Sequence, residues 1–218
     1  MRPRVVVLAK APRMGRVKRR LARGIGEAQA LRIYRACLAA TLRRLGRDPR
    51  WDCVLAVAPD RALTGWPRHC QTRHCQTRPW QTRPWQTQPQ GRGDLGERML
   101  RGLAGGPGGC RRGPAVLVGS DIPEITAAAV ARALARLRRA DAVFGPSEDG
   151  GYWLIGFRRP PRRTDLLAGV RWSSPQALAD SRERLERAGL TTALADPLAD
   201  LDDRDSLRRW QRTARRRP

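Results

Sequence analysis

Residues 4–18 read RVVVLAKAPRMGRVK, and this stretch decides the fold. Arg4 to Ala9 is a short Val-rich run with no polar alternation, the pattern of a strand buried on both faces. Lys10 to Val17 holds Pro12 and Gly15 and reads as a loop, and Lys18 to Arg23 opens a helix. The alternation continues downstream. Glu27 to Leu45 predicts a helix closed by Gly46, Cys53 to Ala58 a strand, and Asp94 to Ala104 a helix broken by the glycines from Gly105 to Gly109. Ala115 to Val118 predicts a third strand, and Pro123 opens a helical stretch from Glu124 to Arg138. Ala142 to Phe144 and Tyr152 to Phe157 predict two more strands. A helix over Pro175 to Ala188, a short strand over Thr191 to Leu194 and a helix over Arg204 to Arg212 complete the chain. Strands alternating with helices imply an α/β fold with a mainly parallel sheet flanked by helices. Ligands of such sheets gather at the carboxyl ends of strands, so the loops after strands one, three and four are expected to carry the chemistry.

The chain has 218 residues, which suits a single domain over residues 1–218 able to bury a core without disulfide or metal staples. No apolar run approaches the roughly 20 residues of a membrane span. Val5 to Ala9 is too short for a secretory signal, so a cytoplasmic protein without a membrane span is expected. The five Cys fit no disulfide framework. A formal charge of +24 points to polyanions, but the arginines are spread along the whole chain and no nucleic-acid-binding motif is present. Non-specific, salt-sensitive adhesion is expected, with no specific nucleic-acid partner. Lys occurs only at Lys10 and Lys18, flanking one loop, where a compact ammonium suits a phosphate oxygen better than a guanidinium does.

Arg68 to Thr87 reads RHCQT, RHCQT, RPWQT, RPWQT, four tandem units too short for a solenoid. His69, Cys70, His74 and Cys75 superficially resemble metal ligands, and Trp80 and Trp85 beside Arg78 and Arg83 resemble a base-stacking platform. A tandem duplication accounts for both pairings, and 68–87 is expected to be a low-complexity insertion dispensable to the fold.

Four segments carry candidate chemistry. In the first, backbone N–H groups at a helix start, with Lys10, Arg13, Gly15 and Lys18, form a plausible phosphate cradle, the alternative being a solvated basic loop. It is not a Walker A loop. In the second, Val118-Gly-Ser-Asp-Ile-Pro-Glu124, Asp121 follows a buried strand and suits Mg²⁺ or Mn²⁺, while an N-cap role for Asp121 or Ser120 is the competing reading. The third, Gly145 to Tyr152, reads as a hairpin turn or as the seat of a second carboxylate, Asp149. In the fourth, Asp196 to Asp205, five acids fall in ten positions; they either cap the following helix or deliver Asp202 to the metal.

The patterns AKAPxxGxxKxRLA, GDLGERM, GSDxPE, GPxxDGGYxLIG and DxDxxxxL, in this order, resemble the bacterial DUF2064 family, also called the selenodomain-associated or arsenosugar-biosynthesis glycosyltransferase family. The resemblance spans the chain except the repeat. It implies a GT-A nucleotide-diphospho-sugar transferase fold, akin to the molybdenum-cofactor and 2-phospholactate guanylyltransferases. It implies a nucleotide-sugar or nucleotide substrate and an unknown acceptor. By that match Lys10, Arg13, Gly15 and Lys18 contact nucleotide phosphates and Asp121 binds Mg or Mn; Ser120 is expected as a further nucleotide contact and Asp202 as a second metal ligand. Lys18 and Asp149 are then the catalytic candidates. Two positions depart from the pattern: Arg19 replaces a Thr after Lys18, and Ser206 replaces an acid near the end.

Overall fold

In the computed structural model, residues 2–63, 85–105 and 113–215 are described. Residues 68–84 of the repeat, with its His and Cys residues, and the glycines 106–109 lie outside them. Strand β1 (Arg4–Lys10) runs through the middle of the molecule because Val5, Val6 and Val7 are all fully enclosed. Val5, Val7 and Ala9 enter one apolar cluster and Val6 and Leu8 another, as the two-residue period of a strand requires. Around it stand β2 (Asp52–Ala58), β3 (Gln86–Pro89), β4 (Ala115–Gly119), β5 (Ala142–Pro146), β6 (Tyr152–Phe157) and β7 (Thr192–Leu194). The order is β3-β2-β1-β4-β6-β5-β7. Only β6 runs antiparallel to its neighbours, so the sheet is mainly parallel.

Helices α2 (Glu27–Gly46) and α4 (Ala127–Arg136) cover the face that Val5 and Val7 enter, and α3 (Leu95–Ala104) and α5 (Ala177–Arg187) cover the other. Helices α1 (Arg19–Ile25) and α6 (Arg204–Arg215) meet in a small third cluster around Leu21, Leu201 and Leu207. Among the described residues no helix is long and apolar enough to cross a membrane.

Two expectations change. Helix α4 starts after Pro123 and its turn, capped by the Thr126 hydroxyl, which accepts the Ala129 N–H at 3.1 Å. Neither Ser120 nor Asp121 caps it, which frees both for the crevice. Strand β3 was hidden because Gln-Thr-Gln-Pro is short and polar; inside, the buried Gln88 amide donates to the Gly102 carbonyl at 3.2 Å. This strand takes Gln86 and Thr87 from the last RPWQT unit, and Trp85 packs against the larger apolar cluster. The reading of all of 68–87 as an insertion is thereby corrected at its C-terminal end. Deleting residues 68–77 leaves both RPWQT units and is expected to leave the melting temperature nearly unchanged. Trp85→Ala should cost about 2 kcal/mol in urea unfolding. A deletion as costly as Trp85→Ala would show that the first two units also belong to the fold.

The topology assembles one edge. Lys10 stands opposite Ala58, and Gly119 opposite Leu8, so the carboxyl ends of β1, β2 and β4 lie together. Because β6 is antiparallel, its first residue Tyr152, opposite Pro146, and the turn joining β5 to β6 lie at that same edge. From β7 the chain returns across it in three backbone hydrogen bonds. Ala195 donates to Phe144 at 2.8 Å, Leu198 to Pro146 at 3.1 Å and Leu201 to Asp121 at 3.1 Å.

Candidate active site

That edge opens into a cleft of about 790 Å³, within the usual range for a small-molecule site. Its charged end is built on Tyr34, which α2 delivers and sequence reasoning missed. The phenol accepts the Lys10 N–H at 2.9 Å and donates to the Lys10 carbonyl at 2.8 Å, fixing the point where β1 turns into the basic loop. The buried Ser120 hydroxyl lies 3.4 Å from the same phenol oxygen, which ties the ends of β1 and β4 together.

Lys18 is the last residue before α1 and sits at φ 49°, a left-handed conformation that costs a non-glycine residue about 1–2 kcal/mol. Its side chain is only 2% exposed, and its ammonium lies 2.7 Å from Asp121 Oδ2 and 3.7 Å from Asp202 Oδ1. Asp121 also accepts the Ser120 hydroxyl at 2.6 Å. Burial pushes the Asp121 carboxyl up, but the charge and hydrogen bond of Lys18, the Ser120 hydrogen bond and the Lys10 charge together hold it below the ordinary range. Asp202 is held on its other side by Arg20 at 3.1 Å. Lys18, expected at the start of a helix after a basic loop, is thus a buried residue of the cleft.

Asp200 was not singled out from the sequence. It lines the cleft beside Asp202, and burial, then repulsion from Asp149, Asp202 and Asp121 against the attraction of Lys18, raises its carboxyl to about 6. An acid whose pKa rises on folding charges at a cost to the fold; that cost is absent below the free value of 3.8 and complete above about 6. Asp200→Asn should therefore raise stability by on the order of 1–2 kcal/mol at pH 7.5 and change it little at pH 4. Melting curves at the two pH values check this, and an equal gain at both would refute it.

The remaining acids divide as follows. Asp149 lies in the β5–β6 turn, as the hairpin reading required, and also lines the cleft. Its Oδ1 accepts the Ser147 hydroxyl at 2.6 Å and the Gly151 N–H at 2.9 Å. Asp203 caps α6: it accepts the Ser206 N–H at 2.7 Å while the Ser206 hydroxyl accepts the Asp203 N–H at 3.0 Å. The departure at Ser206 thus completes a reciprocal cap. The capping reading of the acidic run holds for Asp203, while Asp202 lines the cleft.

Lys10, Lys18, Ser120, Asp121, Asp149 and Asp202 all line the cleft. Arg13 and Gly15 do not: Arg13 is exposed on the loop, Gly15 turns it at φ 71°, and Arg16 reaches the cleft instead. Asp121, Asp200 and Asp202 offer hard oxygen donors of the kind Mg²⁺ and Mn²⁺ take, two of them already paired with Lys18 and Arg20. Among the described residues no three metal-ligating side chains converge on one point.

A model of the family described as an uncharacterized protein conserved in bacteria, DUF2064, matches residues 41–174. No curated protein matches the chain. Among solved structures, a protein of Desulfovibrio desulfuricans G20 provisionally described as a nucleotide-diphospho-sugar transferase is similar at 29% identity and TM-score 0.80, over 99% of this chain and 89% of that one. A 4-diphosphocytidyl-2C-methyl-D-erythritol synthase from Anaerococcus prevotii DSM 20548 shares the fold at 11% identity and TM-score 0.58, over 99% of each chain. A CMP:2-keto-3-deoxy-manno-octonic acid synthetase, solved with CTP, does so at 11% identity and TM-score 0.56, again over 99% of each. The sheet is that of the nucleotide-diphospho-sugar transferase fold.

Proposed function

The chain belongs to the DUF2064 family, and from that premise we propose that it is a divalent-metal-dependent glycosyltransferase, moving a sugar from a nucleotide-diphospho-sugar to an acceptor. One observation carries the reading. A buried ammonium from the loop after β1 and a carboxylate from the end of β4 meet 2.7 Å apart at the carboxyl edge of the sheet, inside a cleft. This combination suits a nucleoside diphosphate: cations for its oxygens and a carboxylate that could hold an ion to neutralise them. Asp121 and Asp202 would hold Mg²⁺ or Mn²⁺, which when bound neutralises charge on the leaving diphosphate. Lys10, Lys18 and Arg16 supply further positive charge to the same oxygens.

In the transfer, the bond from the anomeric carbon to the β-phosphate oxygen breaks, and a bond from that carbon to an acceptor oxygen forms. The nucleoside diphosphate leaves, and the acceptor proton passes to Asp149, whose Oδ2 is not engaged by the turn. The Desulfovibrio protein, similar over nearly the whole chain, supports the donor class. Thermal-shift titration of nucleoside diphosphates and nucleotide sugars, with and without Mn²⁺, tests the proposal. Stabilisation by a nucleotide sugar only when Mn²⁺ is present is expected. Stabilisation by nucleoside triphosphates alone, with pyrophosphate released on turnover, would replace it with nucleotidyl transfer.

A further inference from the structure

Besides its charged residues, the cleft has an apolar and aromatic compartment on one side of the sheet. Leu95 and Met99 of α3, Leu117 and Ile155 of the sheet, and the rings of Tyr152 and Trp172 line it. The two rings meet edge to face, 6.4 Å between centroids. Trp172 is fixed from both sides. Its indole lies against the first turn of α3 at Gly96, where a Cβ would come within 2.9 Å of the ring. The segment after it is packed onto the β5–β6 turn at Gly150, where φ is 81° and a Cβ would run into the Pro175 carbonyl. Leu178 donates to the Gly150 carbonyl at 3.0 Å and completes the clamp. Ser173, also on the cleft wall, is held at φ 60°. Strain at a non-glycine residue persists only where its surroundings enforce it, and it concentrates at ligand sites.

Two polar groups in this compartment are unspent. The indole Nε1 of Trp172 is buried and has no hydrogen-bond partner among the described residues, whereas buried indoles normally find one. Arg98 is half-buried on the same wall. Its Nε donates to the Asp94 carbonyl at 3.1 Å and its Nη1 to Gln90 Oε1 at 3.4 Å. No ion pair to a carboxylate engages it among the described residues, and its Nη2 remains open. An open guanidinium edge pairs with a carboxylate or phosphate in a charge-assisted hydrogen bond.

We propose that this compartment is the acceptor site of the transferase, and that it takes a small molecule with a flat ring, seated on Trp172 and Tyr152, and one carboxylate or phosphate group paired with Arg98. The assignment to an acceptor rests on the transferase reading above. The ring would be held by desolvated aromatic surface and the anion by the open edge of the guanidinium.

Phenyl phosphate is a minimal probe with one ring and one anion. Its binding to the full chain can be followed by saturation transfer from protein to its ring protons, first alone and then with a saturating nucleoside diphosphate and Mg²⁺. Expected is binding in both conditions, weakened at least tenfold by Trp172→Ala and by Arg98→Met, with inorganic phosphate a poor competitor. Arg98→Met and Trp172→Phe serve if Trp172→Ala does not fold. Displacement of the probe by the nucleotide would assign the compartment to the nucleobase and overturn the proposal. So would binding that neither variant weakens, or no binding. The arm without nucleotide is independent of the donor: failure of every nucleotide to bind would sink the transferase reading, while the probe result still decides whether the compartment holds a ring-bearing anion.

Discussion

Replacing Asp121 by Asn is expected to abolish the metal dependence of nucleotide binding and to lower turnover on the order of 10²-fold or more, the usual loss when a preorganised electrostatic group leaves a reaction centre. The amide keeps the shape and can still accept the Ser120 hydroxyl, so the backbone at the end of β4 should hold. What vanishes is the charge that faces Lys18 at 2.7 Å and would face the ion. Folding should survive at a cost of about 1–2 kcal/mol, because Asp121 is 35% exposed and its pair with Lys18 is partly solvated. The pH dependence adds an independent check. The carboxyl of Asp121 is held below its ordinary value, so its contribution to stability is present above 3.8 and lost as the pH falls through the lowered folded-state pKa. That acid-side loss should be absent from the variant. Calorimetric titration of a nucleoside diphosphate with and without Mn²⁺ measures the main effect, and unchanged Mn²⁺-dependent affinity in the variant would remove Asp121 from the site.

The parallel frame was readable because burial on both faces leaves a signature in sequence. Val5 to Val7 and Ala115 to Val118 are unbroken apolar runs, and they became β1 and β4. Strand β3 gave no such sign: its stability comes from pairing with β2 and from the Gln88 and Gln90 amides, which satisfy carbonyls of three other segments. A buried glutamine is a tertiary arrangement, and composition carries no trace of it. The start of α4 was misplaced for a related reason. Pro123 is compatible with a first helical turn, yet the side chain that accepts the orphan N–H belongs to Thr126.

The site divides the same way. Residues near strand ends were legible because the topology of a parallel sheet dictates where strand ends go, and the loops that carry Lys18, Asp121 and Asp149 were placed at the cleft by that rule. Asp202 came with a run of acids whose members could be separated only once Leu201 was seen bonded to the Asp121 carbonyl, which brings Asp200 and Asp202 in and leaves Asp203 to cap α6. Tyr34 sits mid-helix, and Trp172 follows a segment with no periodicity. Nothing local distinguishes either from an ordinary core aromatic. The one available hint for Trp172 was the crowding of Gly150 and Gly151 upstream, which marks a close backbone approach without saying what approaches.

Lys18→Met tests the centre of the arrangement and should give the larger structural effect. The ammonium is enclosed, and it faces Asp121 and Asp202 directly while its charge also reaches Asp200. Without it the cleft holds several carboxylates and, among the described residues, no buried cation, and removing one partner of a buried pair costs more than the pair is worth, because the other charge stays. Since the carboxylates are partly solvated, a loss of about 2–3 kcal/mol at pH 8 is expected, below the roughly 3–5 kcal/mol of fully buried pairs. The pH response should invert. In the parent chain Asp121 favours the folded state when charged; in the variant the same carboxylates repel one another, their pKa values rise, and charging them opposes folding. The penalty should therefore shrink as the pH falls toward 4, where they take up protons. Lys18→Arg separates charge from shape. It keeps the cation but asks a planar fork to fit where a compact ammonium is 98% enclosed by its neighbours, since the Lys18 side chain is 2% exposed. It should recover part of the stability at pH 8 and little of the nucleotide affinity. Urea unfolding at pH 5 and pH 8, with nucleotide titrations on both variants, measures these outcomes. A Lys18→Met protein as stable as the parent at pH 8, or one binding nucleotide with parental affinity, would show that the ammonium is neither the counter-charge of the carboxylates nor a ligand for phosphate.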